Sequence, residues 1–286
     1  MGADNLLPSA AMQLSLDRIE APGATRSLVL IHGILGSGAN LRTLGRRFVE
    51  AAPGWSAVLV DLPAHGRSAD THAGSLEGSA RIVLDALSRE LVPRGAVLGH
   101  SFGGKVALEM LRQAGRMSAV AHTVVVDSTP GRREAPYRGA ATTVGVIDML
   151  DRLQPTFASR AAFIDAVVAE GQPRSLAEWL AMSLEREPTQ VRFGLDLGEI
   201  RRLLESYFAT DLWPVVEEPP GDAEVHLVVG DRSTSFDAAD RERAAGLSAA
   251  PRARVTVDVL PAGHWVHVDD PEGLLRVLLS RVAKIG

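Results

Sequence analysis

No cysteine occurs among the 286 residues. That excludes disulfides, thiolate metal ligands and a cysteine nucleophile, and it fits a reducing compartment. No basic stripe is present either: the net charge is −5 with both signs spread along the chain, so a nucleic-acid partner has no electrostatic support. No run approaches the ~20 apolar residues that a membrane span requires. Residues 1–23 lack the positively charged start and continuous apolar stretch of a signal peptide, and Leu6 stands where a myristoylation pattern wants Ser or Thr. These absences lead to the expectation of a cytoplasmic protein with neither a membrane nor a nucleic acid as partner. Aromatic residues are scarce, at 5%, while hydrophobic residues reach 46%. The second figure supports a substantial core, either one large domain or a core with an insertion.

What is present alternates. Short apolar runs at 27–31, 57–60, 96–98, 123–126, 225–229 and 255–260 have the composition of strands buried on both faces of a parallel sheet. Residues 13–19 alternate weakly and read as edge strands. Helical patterns lie between the runs. One opens at Asn40. Another is capped by Ser75 and carries Leu76, Ala80, Val83, Leu87 and Leu91 on one face, and the last has Asp270 as N-cap and Pro271 at its first position. The residues with chemistry to offer fall at the carboxyl ends of strands, the rule for ligand sites in open α/β sheets.

From Gly131 to about Leu212 no comparable β run occurs, and helix-compatible segments span 143–153, 160–169, 176–186 and 199–208. A large share of the scarce aromatics lies here. Two readings stand for them: the core of a helical subdomain, or the inner face of a cap that supplies an apolar acyl or alkyl pocket.

The stretch that organises the rest is Gly99-His100-Ser101-Phe102-Gly103-Gly104-Lys105, where an apolar strand gives way to a helical pattern at Val106–Leu111. Gly-x-Ser-x-Gly in that setting is a nucleophile elbow. A turn this tight strains the serine and leaves no room for a β-carbon at Gly99 or Gly103. Two other readings remain. One is an ordinary glycine-rich turn. The other is a phosphate-binding loop, Gly99-x-x-x-x-Gly104-Lys105, although Val106 stands where that motif needs Ser or Thr.

A serine hydroxyl needs a base within reach and a third group to orient that base. Of the eight histidines, His264 alone follows the last strand in a Gly-His loop, the position that the order Ser, acid, His requires. His100 lies inside the elbow and packs beside the serine, and His32 and His65 read as holders of loop shape. A metal role for His264 and His267 lacks thiols and a matching carboxylate pair.

Taken together, His32-Gly33, Asp61-Leu62-Pro63-Ala64-His65-Gly66-Arg67-Ser68, the elbow and Gly263-His264 resemble the α/β-hydrolase superfamily over nearly the whole chain. Gly36-Ser37, Gly103-Gly104-Lys105, Val126-Asp127-Ser128-Thr129-Pro130 and Gly263-His264-Trp265-Val266-His267 further resemble small bacterial serine esterases of the YbfF type. The resemblance implies an α/β fold with a mostly parallel, doubly wound sheet and a helical cap inserted after strand 6. Residues 1–130 and 213–286 would form the core and 131–212 the cap. It implies a Ser101, His264 and Asp127 triad, with backbone amides of Ile34 and Phe102 as the oxyanion hole. His100, Met149, Phe157, Trp179, Met182 and Trp265 are the candidate pocket residues. The acid departs from the commonest pattern, because the Gly-x-x-Asp frame reads Gly230-Asp231-Arg232-Ser233. Asp127 ends the strand after the elbow helix and is the first candidate. Asp231 is an alternative and Asp237 a remote third. The activity implied is cleavage of short- to medium-chain acyl esters, with no cofactor or metal. Thioester, lactone or acyl-transfer chemistry on the same triad remains open, as does a low-turnover ligand sensor.

Overall fold

The computed structural model describes residues 14–93, 95–115, 120–133 and 142–284. Much of the reading of the amino-terminus therefore rests on residues outside the described ones. The elements run, in chain order, β1 (Leu16–Ile19), β2 (Arg26–Ile31), α1 (Arg42–Ala51), β3 (Trp55–Val60), α2 (Leu76–Arg89), β4 (Gly95–His100), α3 (Phe102–Ala114) and β5 (Val120–Val126). After an intervening stretch come α8 (Trp213–Glu217), β9 (Glu224–Gly230), α9 (Ala238–Ser248), β10 (Val255–Leu260), α10 (Val266–Asp269) and α11 (Pro271–Val277). Seven strands form one sheet in the order β1-β3-β2-β4-β5-β9-β10. β1 pairs antiparallel with β3, and every other pairing is parallel. Leu28, Leu30, Ile31, Val97, Leu98, Val124, Val125, Val126, Leu227 and Val228 are buried in it, which is why these runs are continuously apolar instead of alternating.

The intervening stretch holds α4 (Thr143–Arg152), β6 (Thr156–Phe157), α5 (Arg160–Ala169), α6 (Arg174–Leu180), β7 (Leu184–Arg186), β8 (Val191–Phe193) and α7 (Leu197–Ala209). Two details differ from expectation. The stretch follows the fifth strand, not the sixth, because residues 13–19 yield one edge strand among the described residues. The segment 176–186 is not one helix: α6 ends at Leu180, and Leu184–Arg186 joins a small antiparallel sheet of order β6-β8-β7. A turn closed by Glu187 N–H donating to the Gln190 carbonyl brings β7 and β8 together. Strands of two or three residues are too short for alternation to reveal. Among the described residues no helix is long and apolar enough to cross a membrane.

Caps follow the sequence signals. Ser75 accepts from Gly78 N–H and Asp270 from Gly273 N–H, with Pro271 opening α11.

Candidate active site

Register sets the site. His100 on β4 pairs with Val126 on β5, and Val126 with Val228 on β9. Ser101 and Asp127, each one residue further on, therefore leave the sheet side by side at its carboxyl edge. Ser101 N–H donates to the Val126 carbonyl at 2.9 Å and Asp127 N–H to the Val228 carbonyl at 2.8 Å. Leu260 on β10 pairs with Gly230 on β9, so the loop after β10 brings His264 to the same edge.

The turn at Ser101 is strained, with φ 53° and ψ −120°. An added β-carbon on Gly99 would overlap the Gly103 carbonyl, and one on Gly103 would lie 2.5 Å from the His32 carbonyl oxygen. Crowding of backbone on backbone is the reason for both glycines. Ser101 also sits at the N-terminus of α3, whose free N–H groups favour negative charge.

The three expected side chains meet. Ser101 Oγ lies 3.1 Å from His264 Nε2, and His264 Nδ1 lies 2.7 Å from Asp127 Oδ2. In this arrangement the hydroxyl donates to Nε2 while Nδ1–H donates to the carboxylate. Asp127 is fully buried, also has positive φ, and accepts from Gly230 N–H at Oδ1 and from the Ser233 hydroxyl at Oδ2. These donors compensate the burial of its charge. Ser235 Oγ stands 3.0 Å from His264 Nδ1.

Asp231 and Asp237 do not take this place. Asp231 is exposed and paired with Arg232, and Asp237 caps α9 and pairs with Arg133. The residue in the usual acid frame, Ser233, instead hydrogen-bonds the acid that comes from β5.

Three buried histidines shape the surrounding loops. Burial pulls His65 down to about 3. Its neutral ring donates from Nδ1 to the Pro63 carbonyl and accepts Leu35 N–H at Nε2. Burial likewise lowers His32, which donates to the Gly33 carbonyl and accepts Leu62 N–H. The loop carrying Ile34 is thus pinned on both sides. Burial, reinforced by His264 and His267, holds His100 well below the usual histidine range, and its Nε2–H supports the His264 carbonyl at 2.8 Å.

A cavity of about 990 Å³ opens above Ser101. Its floor is the core edge, with Ile34, Phe102 and His264, and its roof comes from the intervening stretch, with Val146, Leu176, Trp179, Leu204, Tyr207 and Phe208.

The family model described as the alpha/beta hydrolase family matches residues 28–277. The chain belongs to the alpha/beta hydrolase family. It is 24% identical to the sn-1-specific diacylglycerol lipase ABHD11 of Danio rerio over 98% of this chain and 85% of that protein. It is 25% identical to esterase YbfF of Escherichia coli (strain K12) over 88% of this chain and 91% of that protein. A solved marine microorganism esterase superposes with a TM-score of 0.77 at 20% identity, covering 92% of this chain and 97% of that one, a likeness of fold.

Within this hydrolase the pocket candidates separate. His100, Trp179 and Trp265 line the large cavity, and the two tryptophans meet edge to face at 4.8 Å. Met149, Phe157 and Met182, expected in the pocket, do not line it. Met149 is buried in the hydrophobic core that continues beneath α4. Phe157 packs on Phe163 beside a separate cavity of about 300 Å³ within the intervening stretch, which none of Ser101, His264 and Asp127 lines. Met182 points to solvent. Residue type alone did not reveal which face of each element turns inward. Leu204, Tyr207 and Phe208, absent from the candidates, carried a readable signal in their i, i+3, i+4 spacing on α7. Ser233 carried only its place in the Gly-x-x-Asp frame, and Ser235 carried no signal.

The phosphate-loop reading fails on Lys105. Burial pulls its ammonium down to about 7. Nζ donates to the carbonyls of Gly131, Tyr207 and Thr210 at 2.7–2.9 Å and lies 4.4 Å from the Tyr207 ring centre. The lysine therefore ties both ends of the intervening stretch to α3 and does not reach toward an anion in the loop.

Proposed function

We propose that this hydrolase is a serine carboxylesterase acting on short- to medium-chain acyl esters. The observation that carries the reading is the continuous hydrogen-bonded path from Ser101 through His264 to Asp127, set at a strained turn beneath a largely apolar cavity. Ser101 Oγ attacks the ester carbonyl carbon while His264 Nε2 takes its proton. Asp127 keeps the imidazole proton on Nδ1 and stabilises the imidazolium. Amide N–H groups of Ile34 and Phe102 receive the developing oxyanion, a role supported by their place on the cavity beside Ser101. Collapse of the tetrahedral intermediate breaks the C–O bond, and His264 returns the proton to the departing alcohol. Water, deprotonated by His264, then attacks the acyl-enzyme and releases the acid and free Ser101.

Residues 131–212 act in this proposal as a cap whose inner face holds the acyl chain. A cavity at the upper end of the usual ~300–1,000 Å³ range suits a medium chain. The esterase and lipase names of the relatives agree with an ester substrate, and the lack of cysteine agrees with a cytoplasmic setting.

A fluorophosphonate probe should label the wild-type protein, and Ser101→Ala should not be labelled. A panel of p-nitrophenyl esters of increasing chain length should give turnover with a maximum at short to medium chains. Persistent labelling of Ser101→Ala, or labelling without deacylation, would overturn the proposal, the latter in favour of a low-turnover sensor.

A further inference from the structure

At the opposite edge of the sheet, near the starts of β5 and β9, a second constellation lies outside the esterase reading. Among the described residues, one group of three potential metal-ligating side chains converges: His122 on β5 with Glu224 and His226 on β9, their ligand atoms all within 4.8 Å of one another. His122 Nδ1 is 3.2 Å from His226 Nε2. Glu224 Oε2 is 3.5 Å from His122 Nδ1 and 3.7 Å from His226 Nε2. We propose that His122, Glu224 and His226 bind a divalent transition metal of the zinc class, with a water in the fourth position.

The separations carry the proposal. Ligand bonds of about 2.0–2.1 Å around a tetrahedral zinc place neighbouring donor atoms about 3.3 Å apart. The three observed edges cluster around that length, so a metal needs little movement of its ligands. Without a metal, one N–H on His122 Nδ1 serves two acceptors, His226 Nε2 and Glu224 Oε2. A cation relieves the repulsion among their lone pairs better than one proton can.

The ring of His226 is prepared for the same role. Its Nδ1 lies 2.9 Å from Thr256 Oγ1 on β10, and donation there leaves the Nε2 lone pair for a metal, the usual outer contact of a ligating histidine. His122 and Glu224 are partly exposed, which gives a metal a route in and a solvent position. Two imidazoles and one carboxylate suit zinc, copper or nickel more than magnesium or calcium.

The cations nearby oppose binding and offer a test. Lys284 Nζ lies 3.2 Å from Glu224 Oε2, on a side chain exposed enough to swing away. Arg281 is engaged with Asp258. The site lies roughly 16 Å from Asp127 along β5, at about 3.3 Å per residue. It joins β5 to β9, the two strands that present Asp127 and Gly230 at their far ends.

The experiment is equilibrium zinc binding by competition with a chromophoric chelator, on purified protein bearing His264→Gln so that the catalytic imidazole does not contribute. The expected result is one zinc per chain at micromolar free metal. His122→Gln and Glu224→Gln should each weaken affinity at least tenfold, and Lys284→Gln should tighten it severalfold. In protein with His264 intact, zinc should raise Tm, and His122→Gln should abolish that rise while fluorophosphonate labelling of Ser101 stays unchanged. Equal affinity in the parent and in His122→Gln and Glu224→Gln would overturn the proposal, as would no zinc held at micromolar free metal. Neither result bears on the esterase reading, which the labelling tests separately.

Discussion

Replacing Asp127 with asparagine tests both the acid and the reason for its placement. In the wild type, His264 Nδ1–H faces Asp127 Oδ2 at 2.7 Å, and the carboxylate is fully buried. When His264 takes the serine proton, the new cation meets an anion in direct contact. At an effective dielectric near 20, a pair about 4 Å apart gains about 4 kcal/mol. Asparagine loses that attraction. If it turns its amide N–H toward Nδ1, it also drives the imidazole proton onto Nε2, where Ser101 needs a lone pair. The two effects together predict a fall in kcat of roughly 10⁴, about 5.5 kcal/mol. Folding should suffer less, by about 1–3 kcal/mol, because the amide oxygen still accepts from Gly230 N–H and the Ser233 hydroxyl rotates to accept from the amide N–H.

The same geometry predicts a rescue. Ser233 Oγ reaches the same Oδ2 that His264 reaches, so a carboxylate at position 233 can replace the lost one. Asp127→Asn with Ser233→Asp should recover about one order of magnitude or more of the lost kcat. The assay is p-nitrophenyl ester turnover on variants matched for circular dichroism. Asp127→Asn within tenfold of wild type would refute the reasoning. So would an equal loss in Asp231→Asn, whose side chain is exposed and held by Arg232.

Acid should destabilise the fold through its buried histidines. Burial lowers His65 to about 3 and His226 and His267 to about 4 in the folded chain; the unfolded chain therefore binds more protons below about pH 6.5, and stability present above that pH is lost on the way down to about 4, at about 1.4 kcal/mol per pH unit for each ring. Urea unfolding near pH 6 and pH 5 should record the drop, and His65→Gln should reduce its slope by one ring's share, about 1.4 kcal/mol per pH unit; an unchanged slope would rule His65 out as a contributor. Lys105→Met should cost about 3–5 kcal/mol in urea unfolding, because three carbonyls, that of Gly131 buried and those of Tyr207 and Thr210 partly so, lose their shared donor; a loss under ~1 kcal/mol would show the tie to be dispensable. Gly103→Ala places a β-carbon against the His32 and Ile31 carbonyl oxygens, so fluorophosphonate labelling should fall even in the fraction that folds. Trp179→Ala, at the cavity wall against Trp265, should raise KM for longer acyl chains with little change in kcat for acetate esters.

The buried strands were readable because each is a short apolar run enclosed on both faces, and the elbow because Gly99 and Gly103 answer to backbone atoms within a few residues or on the neighbouring strand. The caps at Ser75 and Asp270 are equally local. The small sheet was not readable, since Leu184–Arg186 owes its extended form to pairing with Val191–Phe193 and not to its own composition. The pocket was readable in part. Trp179 and Trp265 face the cavity, but Met149, Phe157 and Met182 share their apolar character and face elsewhere.

What the sequence determined by itself is the strand–serine–helix turn at Ser101 and the order in which the buried strands occur, because both follow from sterics and burial acting over a few residues. Which carboxylate stands against His264, and which aromatic side chains roof the cavity, was decided only by the tertiary structure. Those outcomes depend on register between strands far apart in the chain, His100 beside Val126 and Val126 beside Val228. A shift of one residue in that register would turn each side chain to the other face.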